Sequence, residues 1–271
     1  MVGYGRSQLI YGGDTLPTFI TGNPVVNGAI TVSSLASPSR MVYDRAGNLW
    51  VVSQTNATVM KFTPSQLGQT GSPTPSVVIG FSASLTALAP NTAPHAPTGL
   101  AFDGAGNLWI GGASTLLEFT PSQLAVSGNP APTITLMQNN VFGSNSLDLA
   151  FDANGNLWVA NGAAGIAEYT SAQLAQGGNQ TAAVVLQLPP VATGGGNLTT
   201  QTGRSLAFDN GGNLWVGTNA GVVIQVPNSQ LAVSGTVVPG MVLGAPTGTN
   251  IVQGIAFNPA PVNLPLHLPG N

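Results

Sequence analysis

Short apolar runs alternate with clusters of Gly, Pro, Asn and Ser along the whole chain. The most regular stretch, Asp148–Leu174, contains the runs Leu149–Phe151, Leu157–Ala160 and Ile166–Tyr169. Apolar runs of this length that are bounded by turn residues indicate β-strands rather than helices. The first two runs lack a clean alternation of apolar and polar residues, which is typical of strands covered on both faces. The pattern therefore predicts an all-β chain with buried strands.

The same unit recurs along the chain, which is the signature of a repeat architecture. Gly-Asn-Leu-Trp occurs at Gly47–Trp50, Gly106–Trp109, Gly155–Trp158 and Gly212–Trp215. A Gln-Leu pair preceded by Ser or Ala follows each copy, and a further pair stands without a Trp at Ser7–Leu9. Near the other end, Ile255–Asn258 resembles the first half of a unit whose second half is missing.

Each unit predicts four strands, which we call a to d. Strands a and b are joined by Asp-x-x-Gly-Asn, where Asp accepts backbone hydrogen bonds and Gly supplies a positive φ. The Trp stands at the second position of strand b. After strand c, Thr63–Gln66 and Thr120–Gln123 carry a capping-box pattern with Pro at the first helical position, which predicts a single helical turn. The copy at Val226–Gln230 has lost the Thr.

The incomplete units at the two termini complement each other, which predicts how the repeat closes. We expect one domain over residues 1–271, a five-bladed β-propeller of four-stranded blades. Pairing of the N- and C-terminal strands in the fifth blade would close the ring and leave no open sheet edge. The predicted blades cover approximately residues 40–80, 98–137, 147–188, 204–243, and 252–271 plus 1–21.

The pattern Leu-Ala-Phe-Asp-x-x-Gly-Asn-Leu-Trp-Val, read around Asp152, resembles the repeats of NHL and SMP-30-like β-propellers. The resemblance implies a propeller fold and little about activity, because the matching residues belong to turns and the core. Such propellers include gluconolactonase-like enzymes, a streptogramin lyase and modules that dock ligands or proteins. The metal-binding carboxylate and Asn arrangement of the gluconolactonases and the His/Glu apparatus of the lyase cannot be matched here residue by residue.

Composition excludes several classes of protein. Charged residues make up only 5% of the chain, against roughly 25% in an average domain. Five Lys and Arg residues offer no basic patch for nucleic acid. No apolar run approaches the roughly 18 residues of a membrane span. With no Cys and two His residues, neither a tetrahedral zinc site nor another metal or cofactor site is expected.

A few charges fall outside the repeat and define the candidate site. Arg40, Asp148 and Arg204 stand three or four residues before the aromatic of strand a, where the innermost strands of a propeller begin. The ring would bring this register together at the mouth of the central channel. The candidate ligand-binding residues are Arg40, Thr98, Asp148, Arg204, Gln253 and, in a neighbouring loop, His95. Such groups can bind a small anion or a polar sugar; alternatively, the arginines neutralise Asp148 and plug the channel.

Other conspicuous residues have structural interpretations. Lys61, Glu118 and Glu168 occupy one position of strand c, which Gln225 fills in the fourth unit. We expect Lys61 and Glu118 to form an ion pair between blades. The repeated Trp residues are expected in the core between blades, not on a sugar-binding surface.

The leading hypothesis is a non-catalytic binding or scaffold propeller of a bacterium, extracellular or periplasmic, that binds a small polar molecule or a protein partner. The N-terminus has no long apolar segment of the signal-peptide kind, so export would require a leader that has been removed. One alternative is a propeller-type lyase or lactonase with Asp148 or His95 as the acid/base. The other is a structural protein of the cell envelope. Catalysis is the less favoured interpretation, because the sequence offers no second convergent acid/base group.

Overall fold

Strands dominate the computed structural model, which describes residues 2–4, 8–10, 29–30, 35–67, 72–81, 97–112, 115–139, 148–163, 165–192, 198–244, 251–252 and 254–256. The first three strands form a small sheet in the order β1–β2–β3. They are β1 (Val2–Tyr4), β2 (Gln8–Ile10) and β3 (Ala29–Ile30). No helix in the described ranges is long and apolar enough to span a membrane.

Four sheets, which we call blades 1 to 4, follow along the chain, each with four antiparallel strands; two of them carry a fifth, parallel strand at the outer edge. Blade 1 contains β4 (Pro38–Tyr43), β5 (Leu49–Ser53), β6 (Thr58–Phe62) and β7 (Val77–Gly80). Blade 2 contains β8 (Gly99–Phe102), β9 (Leu108–Gly111), β10 (Thr115–Phe119) and β11 (Ile134–Asn139). Blade 3 contains β12 (Asp148–Phe151), β13 (Leu157–Ala160), β14 (Ile166–Tyr169) and, after β15 (Gly178–Thr181), β16 (Val184–Gln187).

A short hairpin precedes the last blade. It pairs β17 (Val191–Ala192) with β18 (Leu198–Thr199). Blade 4 contains β19 (Gly203–Phe208), β20 (Leu214–Thr218), β21 (Val223–Val226) and, after β22 (Gly235–Thr236), β23 (Met241–Leu243). The first strands of the blades contact one another in the order β4, β8, β12, β19. Consecutive blades joined at their innermost strands form a β-propeller, so the predicted fold type is confirmed.

The number of blades differs from the prediction: the described residues form four blades, not five. The predicted fifth blade requires Ser7–Leu9 to repeat the helical turn that this marker forms in the other units. Instead, Gln8 and Leu9 belong to β2, which pairs with β1 and β3. The physical reason is local, because this copy lacks the Thr and Pro that begin the helical turn elsewhere. At the other end, Ile255 and Ala256 are not in a strand, and residues 257–271 lie outside the described residues.

The Asp turn between strands a and b is repeated in all four blades. In blade 1, Oδ1 of Asp44 accepts hydrogen bonds from the backbone N–H groups of Ala46 (3.0 Å) and Asn48 (2.9 Å), and Gly47 has a φ of 76°. Oδ2 of Asp44 accepts a hydrogen bond from the indole Nε1 of Trp50 at 3.0 Å. The equivalent Trp–Asp distances in blades 2, 3 and 4 are 3.2, 3.2 and 2.8 Å. The carboxylate therefore orders the turn and fixes the Trp at the same time.

The Trp residues form the contacts between blades, as predicted. Each of the first three packs edge-on against the strand-a Phe of the next blade, with ring centroids 6.0 to 6.3 Å apart. These pairs are Trp50–Phe102, Trp109–Phe151 and Trp158–Phe208. Trp50, Trp109 and Trp158 are fully buried, whereas Trp215 of the last blade is half-buried.

Helical turns follow strand c in all four blades. They are α1 (Pro64–Leu67), the 3-10 turn Gln123–Ala125, α2 (Ser171–Gln176) and the 3-10 turn Asn228–Gln230. At Thr63 and Thr120 the structure shows the half of the predicted capping box in which the backbone N–H donates to Oε1 of Gln66 or Gln123, both at 2.8 Å, but in blade 2 the turn begins only at Gln123. Thr170 and Gln173 form a complete capping box on α2, and the copy without Thr has no side-chain cap. The Gln of each turn also donates from Nε2 to a backbone oxygen eight residues ahead, at 2.6 to 2.7 Å. This bond ties the turn to the segment that precedes strand d.

Segments after the helical turns cover the outer edges of the preceding blades. β15 pairs in parallel with β11 of blade 2, and β22 pairs in parallel with β16 of blade 3. In blade 1, Gly128 forms a parallel bridge with Ile79. An exposed strand edge is a template for aggregation, and these segments satisfy its free backbone groups.

The predicted ion pair between Lys61 and Glu118 is absent from the described structure. The two residues occupy equivalent positions, but each lies opposite the Trp of its own blade, Trp50 and Trp109 respectively. The ammonium Nζ of Lys61 lies 5.4 Å from the centroid of the Trp50 ring. Each of the two residues is therefore paired across the strand with the Trp of its own blade and not with the other.

Candidate functional site

Two arginines of the innermost strands stand at irregularities in the sheet. The register between β4 and β5 shifts between Pro38 and Met41, which places Arg40 in the irregular segment. The register between β19 and β20 shifts between Gly203 and Ser205, which places Arg204 in the same situation. A bulge redirects the side chain of the extra residue and is common beside functional sites. Asp148, in contrast, pairs regularly with Ala160 at the start of β12.

Arg40 and Asp148 form an ion pair between blades 1 and 3, which are not adjacent in the propeller. Nε of Arg40 lies 3.2 Å from Oδ1 of Asp148, and the two side chains are 14% and 13% exposed. The Nη2 group of Arg40 donates a hydrogen bond to the backbone oxygen of Arg204 in blade 4. Oδ2 of Asp148 accepts one from the backbone N–H of Leu206 at 2.9 Å. Three blades therefore meet at this pair.

Burial dominates the electrostatics of Asp148. Removal from water raises the pKa of this carboxyl above its ordinary value of 3.8, although the charge of Arg40 and the hydrogen bond from Leu206 act in the opposite direction. The net upward shift means that a single arginine compensates the buried carboxylate incompletely.

Arg204 supplies a second cation with unused hydrogen-bonding capacity. Its Nε is buried and has no hydrogen-bond partner in the structure. The hydroxyl of Ser39, next to Arg40, is also buried and unpaired. Buried polar groups normally have partners, so these donors are candidates for contacts with a ligand. Among the described residues Arg40 has an ion-pair partner in Asp148, whereas Arg204 has none.

The remaining predicted site residues divide into two groups. Thr98 is buried just before β8, where its backbone N–H donates to the backbone oxygen of Gly111 at 2.9 Å. Gln253 and His95 lie outside the described residues. The residue before Gln253, Val252, is hydrogen-bonded to the end of β20 through Thr218 at 2.9 Å, and its backbone oxygen accepts a bond from Ser205 at 3.4 Å.

Sequence reasoning identified the charged side chains of this site but missed the backbone groups that hold them. The backbone oxygen of Arg204 and the N–H of Leu206 are as important to the geometry as the side chains. Residue type gives no signal for either, because every residue carries the same backbone groups. Within the described part of the chain, no group of three or more His, Cys, Asp or Glu side chains is placed to hold a metal ion.

Comparison with known proteins shows the fold alone. Neither the protein-family models nor the curated proteins contain a match, so membership of the NHL or SMP-30-like family stays a prediction. A protein of unknown function from Bacteroides caccae is similar, with a TM-score of 0.50 and 11% identity over 81% of this chain and 65% of that chain. The structure of streptogramin B lyase has a TM-score of 0.45 and 12% identity over 78% of this chain and 56% of that chain. This chain therefore spans less than two thirds of either of those chains.

Proposed function

We propose that this protein is a non-catalytic binding propeller whose ligand is a small organic anion, such as a carboxylate or a sugar acid. The ligand would bind at the beginning of the innermost strands, next to Arg40 and Arg204. The observation that carries the proposal is the buried Nε of Arg204, which has no hydrogen-bond partner. A carboxylate is the natural acceptor for a guanidinium, because its two oxygens match the planar fork of N–H donors and the two groups carry opposite charges.

Two further observations support an anion over a neutral ligand. Both arginines stand at strand irregularities, a feature that is common beside functional sites because it re-aims side chains. Arg204 has no ion-pair partner among the described residues, so an anionic ligand would balance its charge. Asp148 would position Arg40 through the 3.2 Å ion pair rather than contact the ligand. Thr98 and Gln253 remain candidates for contacts with its hydroxyl groups.

The family and the cellular location form part of the same proposal. We propose a propeller of the NHL or SMP-30-like kind, supported by the four Asp turns that order a Trp in each blade. We also propose export to the periplasm or the medium, supported by a chain with only 5% charged residues and no Cys. Fractionation of the native host with an antibody against the protein would test the location. Recovery in the cytosol alone would contradict export.

A thermal-shift titration with malonate, galacturonate and glucose would test the ligand class. A ligand that binds only the native state raises the melting temperature, by an amount that grows with the logarithm of its concentration relative to Kd. We expect malonate or galacturonate to stabilise the wild type and not Arg204→Met, which keeps the aliphatic stem but removes the guanidinium. Arg45→Gln is the matched control, because Arg45 is an exposed arginine of the blade 1 Asp turn.

The outcomes separate the possible roles of the site. Stabilisation by an anion that Arg204→Met abolishes and Arg45→Gln retains supports the proposal. Equal stabilisation of all three proteins would reflect general salt effects and contradict it. If no probe shifts the wild type and Arg204→Met is only less stable, the charges serve as a structural plug and the anion site does not exist.

A further inference from the structure

A cleft between blades 3 and 4 lies at the other end of the innermost strands, away from Arg40 and Arg204. Its volume is about 440 Å³, which is within the range of small-ligand pockets. The cleft lies between the Asp turn of blade 3 and the Asp turn of blade 4, with Glu168 beside them. Among the described residues that line it are three carboxylates, those of Asp152, Glu168 and Asp209, and no Lys, Arg or His.

Two of the three carboxylates are already saturated with hydrogen bonds. Asp152 accepts bonds from the backbone N–H groups of Asn154 and Asn156 on Oδ1, and from the side chains of Asn156 and Trp158 on Oδ2. Asp209 accepts the equivalent set from its own turn. Each carboxylate oxygen has about two acceptor positions, so these groups contribute negative potential to the cleft but have little capacity to accept a ligand.

Glu168 is different, because its carboxylate has no hydrogen-bond partner in the described structure. The residue is only 8% exposed, and it lines the cleft. Burial and the charge of Asp152 both raise the pKa of this carboxyl above its ordinary value of 4.5. Glu118, at the same position in blade 2, is 7% exposed, but there the side chain of Asn107 favours the charged form. Nothing comparable acts on Glu168.

We propose that the cleft between blades 3 and 4 binds an organic cation, a protonated primary amine or a guanidinium, with Glu168 as its counter-ion. An ammonium or guanidinium group is a pure hydrogen-bond donor, which matches a cleft lined by carboxylates. The acidic side chains are not grouped so as to hold one metal ion, which favours an extended organic cation over a divalent metal.

Blade 1 shows that this position accommodates an ammonium group. There the residue equivalent to Glu168 is Lys61, and its Nζ lies 5.4 Å from the centroid of the Trp50 ring. Trp158 holds the same place opposite Glu168 in blade 3. Blade 1 is the one blade without an acidic or amide side chain at this position, and there the protein itself places a cation beside the Trp.

Isothermal titration calorimetry near neutral pH and at low salt, where ion pairs are least screened, would test the proposal. The probes are cadaverine, agmatine, N-acetyl-lysine-N-methylamide, neutral 1-pentanol and calcium chloride. We expect at least one amine or guanidine to bind the wild type, and Glu168→Gln to weaken that binding by about tenfold or more. Glu168→Gln introduces the residue that blade 4 carries at this position as Gln225, so we expect it to fold. Glu118→Gln is the matched control and is expected to bind normally.

Each result has a definite meaning. Binding of cadaverine or agmatine alone identifies a small free amine as the ligand, whereas equal binding of the lysine derivative identifies a lysine side chain of a partner protein. Both support the cation site. The proposal is overturned if no cation binds, if pentanol or calcium binds as tightly as the amines, or if Glu118→Gln weakens binding as much as Glu168→Gln. Unchanged affinity in a folded Glu168→Gln variant also overturns it.

Discussion

Arg40 of blade 1 and Asp148 of blade 3 form an ion pair with 3.2 Å between Nε and Oδ1, although the whole of blade 2 separates them along the chain. Both side chains are mostly buried, and burial has raised the pKa of Asp148. The pair therefore links non-adjacent blades at a site where an unpaired charge would be costly.

Removal of either partner should destabilise the protein, and the two losses should be unequal. In Asp148→Ala the guanidinium of Arg40 stays charged, because arginine does not lose its proton in proteins, and the backbone N–H of Leu206 loses its acceptor. We expect a loss of about 3 kcal/mol, as for other disrupted buried pairs. In Arg40→Met the carboxyl of Asp148 can bind a proton, so the loss should be smaller. Urea unfolding of both variants and of the double variant measures the coupling. Additive losses would show that the two residues do not interact energetically.

The Trp residues allow an internal comparison of packing. Trp50 is 1% exposed and packs edge-on against Phe102, with ring centroids 6.0 Å apart, whereas Trp215 is half-buried. Trp50→Ala should lower the free energy of unfolding by about 3–5 kcal/mol through lost burial and cavity formation. Trp215→Ala should cost at least about 1 kcal/mol less, since less surface is lost and water can fill the space. Each Trp donates a hydrogen bond to the Asp of its own turn, so the loss of that bond affects both variants and cancels in the comparison. Equal losses would contradict the packing argument.

The Gln of the helical turns has a role that can be tested in blade 2. Gln123 accepts a hydrogen bond from the backbone N–H of Thr120 at 2.8 Å and donates from Nε2 to the backbone oxygen of Ala131 at 2.6 Å. Gln123→Ala should cost about 1–2 kcal/mol, the value of these bonds. Gln123→Glu keeps the acceptor for Thr120 but turns an oxygen toward that of Ala131, so it should also be destabilised. Chemical denaturation of both variants measures this, and a Glu variant as stable as the wild type would refute the tether to Ala131.

The features that could be predicted from the sequence are those that depend on local chemistry. Strand β13 spans Leu157–Ala160 and strand β14 spans Ile166–Tyr169, as the apolar runs predict. Turn-forming and capping residues such as Gly, Asp and Thr bound these runs on both sides. The predicted contact between Thr120 and Gln123 forms within four residues, as a hydrogen bond of 2.8 Å from the backbone N–H of Thr120 to Oε1 of Gln123. The fifth blade depended instead on pairing the two ends of the chain, and the strand formed by Gln8 and Leu9 shows that a matching tripeptide does not reproduce a whole unit.

The residues of the candidate site also fall into those that the sequence predicts and those that it does not. Arg40 and Asp148 were recognisable because they are charges outside the repeat in a chain with few charges. Their partners could not be recognised, because the oxygen of Arg204 and the N–H of Leu206 are backbone groups. Glu168 was interpreted as one of several equivalent strand residues, yet the lack of a partner distinguishes it from Glu118, a difference that arises only from the packing around each blade.

Glu168 should make stability depend on pH in the opposite sense to an ordinary salt-bridged carboxylate. Its pKa is raised above 4.5 in the folded protein, so the folded state holds the proton more tightly than the unfolded state. The free energy of unfolding should then fall as the pH rises from about 4.5 through the raised pKa. Glu168→Gln removes this pH-dependent loss of stability. The variant should therefore be more stable than the wild type near neutral pH, and the difference in stability should shrink as the pH falls toward 4.5.

Asp209 is the control of opposite sign. Its pKa is lowered, so Asp209→Asn should be less stable than the wild type at neutral pH. Urea unfolding of the three proteins at both pH values gives the comparison. If Glu168→Gln is no more stable than the wild type at neutral pH, the buried carboxylate has a partner, and the cleft would lose its candidate counter-ion.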